Sequence, residues 1–290
     1  MKAVETVLRN RRPHWVGDGF PVRTLFSHAT AGGAISPFLL LHYAGPHEFP
    51  PATHPRGVEE HPHRGFETVT IVYQGELEHR DSAGNHGSIG PGDVQWMTAG
   101  AGVLHEEFHS QRFAESGGTL EMVQLWVNLP ARVKMTPPRY QELRAAEIPT
   151  VDLPAGAGTA RVIAGDLQGA KGPAQTFTPV YLWDLRLKNG GTTELSLPDG
   201  YAAAVVVQRG QLVLNDAESL KPMDVALFRR SGDRITIAAE EDATALLLSG
   251  EPIDEPVAAH GPFVMNTHEE IRQAIDDYQA GRFGRMRAEA

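Results

Sequence analysis

The feature that most limits the possible folds is a pattern of short apolar runs and turns that occurs once in each half of the chain. The run VYQGELE (72–78) resembles VQRGQLV (207–213), and IGPGDVQWM (89–97) resembles LKPMDVALF (220–228). Each pair has the order strand, glycine turn, strand, proline-bearing turn, strand. The pattern predicts a duplicated β-domain.

The composition favours an all-β fold of two domains. The 290 residues include 30 glycines and 21 prolines, and helical periodicity is scarce before the C-terminus. A chain of this length suits two domains of ordinary size. The segment 131–149 is rich in proline and charge and fits a linker with one helical turn. We therefore expect domains at 1–135 and 136–290.

One helix is expected, in GPFVMNTHEEIRQAIDDYQAGRFG (261–284). Thr267 and Glu270 have the spacing of a capping box, and Gly281 suits the C-terminal end of the helix. We expect this helix to pack on a barrel and to take no part in chemistry. Its apolar face would be formed by Ile271, Ile275 and Tyr278.

Several classes of function are disfavoured by composition. A net charge of −10 and a pI near 5.7 argue against direct nucleic-acid binding, which needs clustered Lys and Arg. There is no cysteine, so disulfides, thiolate metal sites and cysteine nucleophiles are excluded, and any metal must be bound by nitrogen and oxygen. Neither a signal-peptide core nor an apolar run of about 18 residues is present. A cytoplasmic protein without membrane contact is expected.

A first group of candidate metal ligands lies in HPHRGFETV (61–69). Side chains alternate along a strand, so His61 and His63 share a face and lie about 7 Å apart. Glu67 would share that face if the strand stayed regular. Two imidazoles in this arrangement can converge on one ion.

A second group lies in GVLHEEFH (102–109), where His105, Glu107 and His109 share a parity. His109 is either a further inward residue or an exposed strand end. Two such strands inside a small barrel predict a first-row metal site with imidazole and carboxylate ligands. A face of two histidines and one carboxylate with open positions is typical of non-haem iron oxygenases.

The remaining histidines lack a partner at comparable spacing, and we expect no chemistry from them. They are His14, His28, His42, His47, His54, His79, His86, His260 and His268. The second half of the chain offers no ligands where the first half has its candidates. Its aligned positions are Ser196, Pro198, Thr236 and Ala238.

Five segments together resemble the pirin family. They are HPHRGFETV, PGDVQWMTAGAGVLHEE, VQLWVNLP (123–130), YQELRAAEIP and GPFVMNTHEEI, which occur in the expected order across nearly the whole chain. Pirins are bicupins. The resemblance therefore implies two tandem cupin (jelly-roll) β-barrels, the first binding metal and the second lacking ligands and ending in the helix.

The resemblance also implies the ligand set. Pirins bind one iron through three histidines and one glutamate, which match His61, His63, His105 and Glu107 here. Fe²⁺ is the implied ion, with Mn, Ni, Co or Zn as alternatives. Glu67, the carboxylate that the wider cupin pattern uses, then remains near the metal as a fallback ligand. His109 stands where pirins are not expected to have histidine.

Several pirin-like proteins show flavonol 2,3-dioxygenase activity, so the resemblance implies cleavage of a quercetin-like substrate by O₂ with release of carbon monoxide. Four protein ligands on a six-coordinate ion leave two positions, for a substrate oxygen and for dioxygen or water. Glu107 is the candidate general base and Glu67 the alternative.

The other implied function is a redox-responsive iron protein that regulates protein partners. A third reading is a structural cupin with an incidental metal. A monomer is expected.

Other residues near the candidate ligands have two readings. Phe66, Trp96, Met97 and Leu104 either line a slot for a flat substrate or form ordinary core. Arg64 either orients a ligand or a strand through charge-assisted hydrogen bonds or makes an exposed salt bridge.

Overall fold

The computed structural model describes residues 1–9 and 12–286. Most of the regular structure is β-strand. In chain order the strands are β1 (Val4–Leu8), β2 (Pro13–Val16), β3 (Phe20–Ser27), β4 (Phe38–Phe49), β5 (Gly57–His63), β6 (Phe66–Gln74), β7 (Leu77–Asp81), β8 (His86–Ile89), β9 (Val94–Thr98), β10 (Val103–His109), β11 (Gly118–Asn128), β12 (Arg139–Leu143), β13 (Thr150–Asp152), β14 (Gly158–Ala164), β15 (Asp166–Leu167), β16 (Ala170–Lys171), β17 (Val180–Leu187), β18 (Thr192–Ser196), β19 (Ala202–Arg209), β20 (Leu212–Leu214), β21 (Glu218–Leu220), β22 (Val225–Phe228), β23 (Arg234–Ala239), β24 (Ala243–Gly250), β25 (Ala258–His260) and β26 (Phe263–Met265).

Helices are few and short. The predicted capping box of the C-terminal helix is confirmed, because the Thr267 side chain accepts a hydrogen bond from the Glu270 backbone and the Glu270 side chain reaches back. None of the helices in the described part of the chain is long and apolar enough to cross a membrane. The α-helices are α1 (His28–Ala31), α2 (Gln111–Ser116) and α3 (His268–Gln279), and the 3₁₀ helices are Gly32–Ile35, Ala131–Val133, Ala145–Glu147 and Pro154–Gly156.

The described residues form two compact units, each assembled from three segments. The histidine-rich unit comprises 12–24, 40–145 and 253–286, and the histidine-poor unit comprises 1–9, 25–39 and 146–252. These units differ from the contiguous halves 1–135 and 136–290. The difference arises because the first strand, β1, is hydrogen-bonded to β22, whereas α3 packs against residues of the first half.

Both units have the same sheet topology, as the duplication predicts. A seven-stranded sheet has the order β12-β9-β6-β11-β4-β3-β2 in the histidine-rich unit and β1-β22-β19-β24-β17-β14-β13 in the histidine-poor unit. The accompanying four-stranded sheets are β5-β10-β7-β8 and β18-β23-β20-β21. The two orders correspond strand by strand. The predicted all-β fold of two barrels with a C-terminal helix is confirmed.

The segment expected to be a linker contains the strand β12, which pairs with β9 and completes the seven-stranded sheet. The strand β1 holds the corresponding place beside β22. Neither segment belongs to the sequence repeat. One edge strand of each seven-stranded sheet, β12 or β1, thus comes from outside the repeat. Sequence similarity between the halves could not indicate this.

Two glycine turns occupy equivalent places in the barrels. Gly75 joins β6 to β7 with φ of 85°, and Gly210 joins β19 to β20 with φ of 77°. Side chains with a Cβ rarely adopt such left-handed backbone angles, so glycine is the residue that closes these hairpins without strain. The repeated glycine therefore has a structural cause.

The barrel interiors differ in chemistry. In the histidine-poor unit the strands that correspond to β5 and β10 contribute apolar side chains to the core, namely Leu195 on β18 and Ile235 and Ile237 on β23. In the histidine-rich unit an apolar cluster that includes Phe20, Val72 and Leu77 joins its two sheets. The strands β5 and β10 instead carry the histidines.

Candidate metal centre

Strands β5 and β10 bring three histidines together. They are antiparallel neighbours whose register places His105 directly opposite His61. The ring centroids of His61 and His105 are 4.2 Å apart, and those of His63 and His105 are 4.7 Å apart. One ligand nitrogen from each ring lies within 4.8 Å of the others. The structure thus assembles the three histidines that the sequence predicted to converge.

Each of these rings has a nitrogen available for a metal ion. Nδ1 of His61 lies 2.8 Å from the Glu59 carbonyl oxygen. A carbonyl only accepts, so Nδ1 carries the proton and Nε2 keeps its lone pair. Nδ1 of His63 and Nε2 of His105 are buried without a hydrogen-bond partner among the described residues. Buried polar atoms are rarely left unpaired, and a metal ion would satisfy these nitrogens. The residues therefore fit a metal.

The protonation state also suits a metal ligand. Burial lowers the pKa of His63 and of His105 well below the usual value, and the neighbouring imidazole of His61 lowers both further. Both rings are neutral at physiological pH. Neutral imidazole is the form that binds metal.

Glu107 lies beyond a bulge in the neighbouring strand β5, which has three residue steps where β10 has two. The register of β10 against β5 shifts between His105 and Glu107, which places Glu107 opposite Val58. Its Oε2 accepts a hydrogen bond from Gln124 Nε2 at 2.9 Å, whereas Oε1 is 3.5 Å from Thr70 Oγ1. A carboxylate oxygen of Glu107 lies within 4.8 Å of ring nitrogens of His105 and His79. One oxygen is therefore fixed and the other only weakly engaged.

His79 belongs to this cluster, although its spacing in the sequence predicted no chemistry for it. The side chain is buried on β7, with Nδ1 3.4 Å from His105 Nδ1 and Nε2 3.3 Å from Asp81 Oδ2. Its ring also stacks on Tyr140 with centroids 5.1 Å apart. The alternation of Leu77, His79 and Asp81 was a signal of one shared inward face, but only the pairing of β7 with β10 connects that face to His105.

Glu67 is not brought to the histidine cluster. Thr70 on β6 reaches Glu107, and Glu67 lies three residues earlier in the same strand, so its side chain projects from the opposite face of the sheet. It accepts a hydrogen bond from Thr98 Oγ1 at 2.6 Å, and burial raises its pKa to about 7. The strand does not stay regular because Gly65, with φ of 87°, interrupts it between His63 and Phe66.

His109 is buried and directed inward, away from the three converging histidines. Its Nε2 donates a hydrogen bond to the Gly19 carbonyl at 2.9 Å. The ring contacts three aromatic side chains, those of Phe20, Phe49 and Phe113. Its role in the described structure is therefore packing.

The four predicted slot residues separate into different environments. Phe66 contacts His63 with ring centroids 5.1 Å apart. Trp126, which was not among the predicted slot residues, lies 5.5 Å from His63 and 4.3 Å from Phe66 by the same measure. Trp96 pairs with Val69 and therefore lies on the Glu67 face. Leu104 packs with the cluster around α3, and Met97 packs with Ala99 and Val103.

A small cavity adjoins Glu107. Its volume is about 10 Å³, roughly that needed by one water molecule. Of the three converging histidines only His61 is partly exposed. The approach from solvent to the cluster is therefore at His61. The cavity is lined by Val16, Phe20, Val22, His42, Val58, Glu107, Met122 and Gln124.

Comparison with known proteins identifies relatives across the whole chain. A Pseudomonas aeruginosa protein named "Putative quercetin 2,3-dioxygenase" is 59% identical over 283 residues, which cover 98% of this chain and 99% of that protein. A Caulobacter vibrioides "Pirin-like protein" is 42% identical over 230 residues, covering 78% of this chain and 80% of the relative. The crystal structure of a quercetin 2,3-dioxygenase from Acinetobacter baumannii matches with a TM-score of 0.96 at 53% identity, covering 98% of this chain and 99% of that one.

Family comparison gives the same result for each barrel. The Pirin family matches residues 19–127, and the family described as the Pirin C-terminal cupin domain matches residues 182–284. Both cupin domains are thus present in one chain, as the resemblance of the five sequence segments implied. With relatives of this identity over nearly its full length, the chain belongs to the pirin family.

Proposed function

We propose that the cluster binds one first-row metal ion through His61, His63, His105 and Glu107. The observation that carries this proposal is the convergence of three imidazoles, each with one ring nitrogen within 4.8 Å of those of the other two. Imidazole and carboxylate donors suit iron, manganese, nickel, cobalt and zinc. Fe²⁺ is the ion that we propose.

We propose further that the protein is a flavonol 2,3-dioxygenase, which cleaves quercetin-like substrates with O₂ and releases carbon monoxide. Support comes from the two relatives that carry this name at 59% and 53% identity, each covering 98% of the chain. The bound ion would supply a Lewis acid and open coordination positions. The residues of the chain bind and orient the substrate and move its proton.

Glu107 is the proposed acceptor of the proton from the flavonol 3-hydroxyl. Its Oε2 is held by Gln124 at 2.9 Å, and its Oε1 has only the long contact to Thr70. A carboxylate that is held by a hydrogen bond to one oxygen can accept a proton on the other oxygen without rotating. Gln124 is thus a positioning residue for this base.

The flavonol is proposed to enter at His61. The cavity beside Glu107 has about 10 Å³ of space, roughly that needed by one water molecule. Phe66 and Trp126 pack against His63 and give the cluster apolar neighbours. Apolar walls with a few convergent polar groups are usual in small-molecule sites.

The test is turnover by protein freed of metal and reloaded with Fe²⁺, Mn²⁺, Co²⁺, Ni²⁺ or Zn²⁺. Quercetin in aerated buffer should lose its flavonol absorbance and release one carbon monoxide per molecule. His63→Ala should abolish turnover because it removes a ligand. Glu107→Gln should lower kcat by about 10²-fold or more because it removes the base. Absence of turnover with all five ions would contradict the proposed reaction.

Glu67→Gln is the matched control for Glu107→Gln. Both changes replace a buried carboxylate by its amide, but Glu67 lies on the opposite face of the β6 sheet. The kcat of the Glu67→Gln variant should stay within twofold of the wild type. An equal loss in both variants would show that the effect of Glu107→Gln is structural.

A further inference from the structure

A chain of buried side chains continues from His105 away from the proposed metal. His105 Nδ1 lies 3.4 Å from His79 Nδ1, and His79 Nε2 lies 3.3 Å from Asp81 Oδ2. All three residues are at most 4% exposed. The strand register supports this chain, because Asp81 on β7 is the direct partner of His105 on β10.

Asp81 is anchored as a hydrogen-bond acceptor. Its Oδ1 accepts from the backbone N–H groups of Ala83 at 3.0 Å and Asn85 at 2.9 Å, and its Oδ2 accepts from Asn85 Nδ2 at 2.8 Å. Burial raises the pKa of Asp81, but the hydrogen bonds from His79 and Asn85 outweigh this effect and lower it. An ionised carboxylate donates no hydrogen bond. The proton between Asp81 and His79 must therefore be on His79 Nε2.

The remaining protons follow from that assignment. With Nε2 of His79 donating to Asp81, Nδ1 is the ring nitrogen left to accept a hydrogen bond from His105. The hydrogen bond between the two Nδ1 atoms then requires the proton to be on His105 Nδ1. His105 Nε2 is left with its lone pair, and this is the buried nitrogen that has no partner in the described structure.

We propose that Asp81 and His79 are positioning residues that hold His105 in the Nδ1–H tautomer and so direct its Nε2 to the metal. The inference rests on the proposed metal site and adds to its four ligands a pair of residues behind His105. Partners of this kind orient ligating histidines in many metal sites, and their loss weakens metal affinity about 10–100-fold. Tyr140 contributes by stacking on His79, with ring planes 20° apart.

A second ion between His79, His105 and Glu107 is the competing arrangement, because their ligand atoms also lie within 4.8 Å of one another. If both rings used Nδ1 as the ligand atom, both Nδ1 atoms would need a lone pair. The contact of 3.4 Å between them has the geometry of a long hydrogen bond, which needs one proton between the two nitrogens. The tautomer chain therefore accounts for the contact without an additional ion.

The decisive variant is Asp81→Asn. The asparagine amide can donate to His79 Nε2, which reverses both tautomers and places a proton on His105 Nε2. A comparable carboxylate-to-amide change reverses a catalytic histidine in a serine protease without altering its geometry. Asn85→Ala is the matched control, because it removes one donor to Asp81 and leaves the carboxylate in place.

Two measurements test the proposal. Long-range ¹H–¹⁵N spectra of metal-free protein labelled at histidine should report the Nδ1–H tautomer for His105 and the Nε2–H tautomer for His79. Asp81→Asn should reverse both while the other histidine signals stay in place. Its Kd for Co²⁺, from competition with a chelator, should rise about 10–100-fold. Asn85→Ala should keep the tautomers and stay within twofold in Kd.

Three results would overturn the inference: an Nε2–H tautomer of His105 in the wild-type protein, unchanged tautomers and Kd in Asp81→Asn, or two Co²⁺ ions per chain that both depend on His79. The spectra need neither metal nor turnover. Protein with the expected tautomers that binds Co²⁺ but does not cleave quercetin with any ion would contradict the dioxygenase proposal and leave this inference intact.

Discussion

His105 and His109 are four residues apart on β10 and share a parity, yet they have different environments. His105 faces His61 across the β5 pair, whereas His109 pairs with Leu77 on β7. Four residues of a strand span about 13 Å, too far for both rings to bind one ion. The His109 ring instead packs among Phe20, Phe49 and Phe113.

His109→Phe should therefore lower stability and leave metal binding unchanged. The variant loses the hydrogen bond to Gly19, which should reduce the free energy of unfolding by about 1 kcal/mol. The Kd for Co²⁺ should stay within twofold of the wild type. His105→Phe is the comparison, and it should abolish Co²⁺ binding. Denaturant titrations and chelator competition measure the two effects, and a tenfold weaker Kd in His109→Phe would contradict the assignment.

At the residue scale the sequence predicts a role for His61, His63, His105 and Glu107 but not for His79. The first four occur as pairs two residues apart, a spacing that strand alternation makes interpretable. His79 has a partner only through Asp81 and through a neighbouring strand. For Glu67, strand alternation predicted the same face as His63, and this was wrong. The positive φ of Gly65 interrupts the alternation between His63 and Glu67.

At the scale of elements, an ion pair between buried Arg64 and partly buried Asp277 holds α3 beside the proposed metal ligands. Arg64, the residue after His63, donates from Nη1 to Asp277 Oδ2 at 2.7 Å and from Nε to the Ala101 carbonyl at 2.7 Å. Its guanidinium also lies 4.6 Å from the centre of the Phe283 ring. Of the two readings of Arg64, the structure supports anchoring. The helix thus packs on the barrel as expected and also fixes the turn that follows His63.

The ion pair predicts a pH dependence of stability. Burial raises the pKa of Asp277, but hydrogen bonds from Arg64, Gln273 and Arg282 outweigh this and lower it to about 2, from an ordinary value of 3.8. Between pH 3.8 and about pH 2 the unfolded state binds more protons at Asp277 than the folded state does. The stabilisation by the ionised Asp277 is therefore complete above about pH 4 and is lost as the pH falls to 2. Asp277→Asn should lower the free energy of unfolding by about 3 kcal/mol at pH 7, since Arg64 remains buried and unpaired.

Urea titrations from pH 7 to pH 2 measure this effect. The difference between wild type and Asp277→Asn should shrink below pH 4. Asp276→Asn is the control on the same helix, because Asp276 is exposed, and its stability should stay within about 0.5 kcal/mol of the wild type. A difference for Asp277→Asn that is constant with pH would exclude the ion pair as its source.

At the scale of the whole molecule, one topology serves two different interiors. Both units have seven-stranded and four-stranded sheets in corresponding order. The strands β5 and β10 carry the histidines, whereas their counterparts β18 and β23 contribute Leu195, Ile235 and Ile237 to an apolar core. The duplicated fold therefore does not require the proposed metal ligands, which belong to one copy.

Metal binding should accordingly stabilise one copy. Co²⁺ at 100 times its Kd should raise the free energy of unfolding of the histidine-rich unit by about 2.7 kcal/mol, and a chelator should remove the gain. Hydrogen exchange read by mass spectrometry should show added protection in peptides that contain β5 and β10. Peptides from β18 and β23 are the internal reference, and equal protection there would contradict a site confined to the histidine-rich unit.

The sequence by itself determined the duplicated all-β fold, the capped C-terminal helix and the pairs of residues able to converge on a metal. These follow from patterns within single strands, hairpins and helices, where residue spacing alone sets the geometry. Tertiary structure decided which strand completes each barrel, which face Glu67 occupies and which side chains stand behind His105. Those features depend on pairing between segments far apart in the chain, and local spacing carries no information about such pairing.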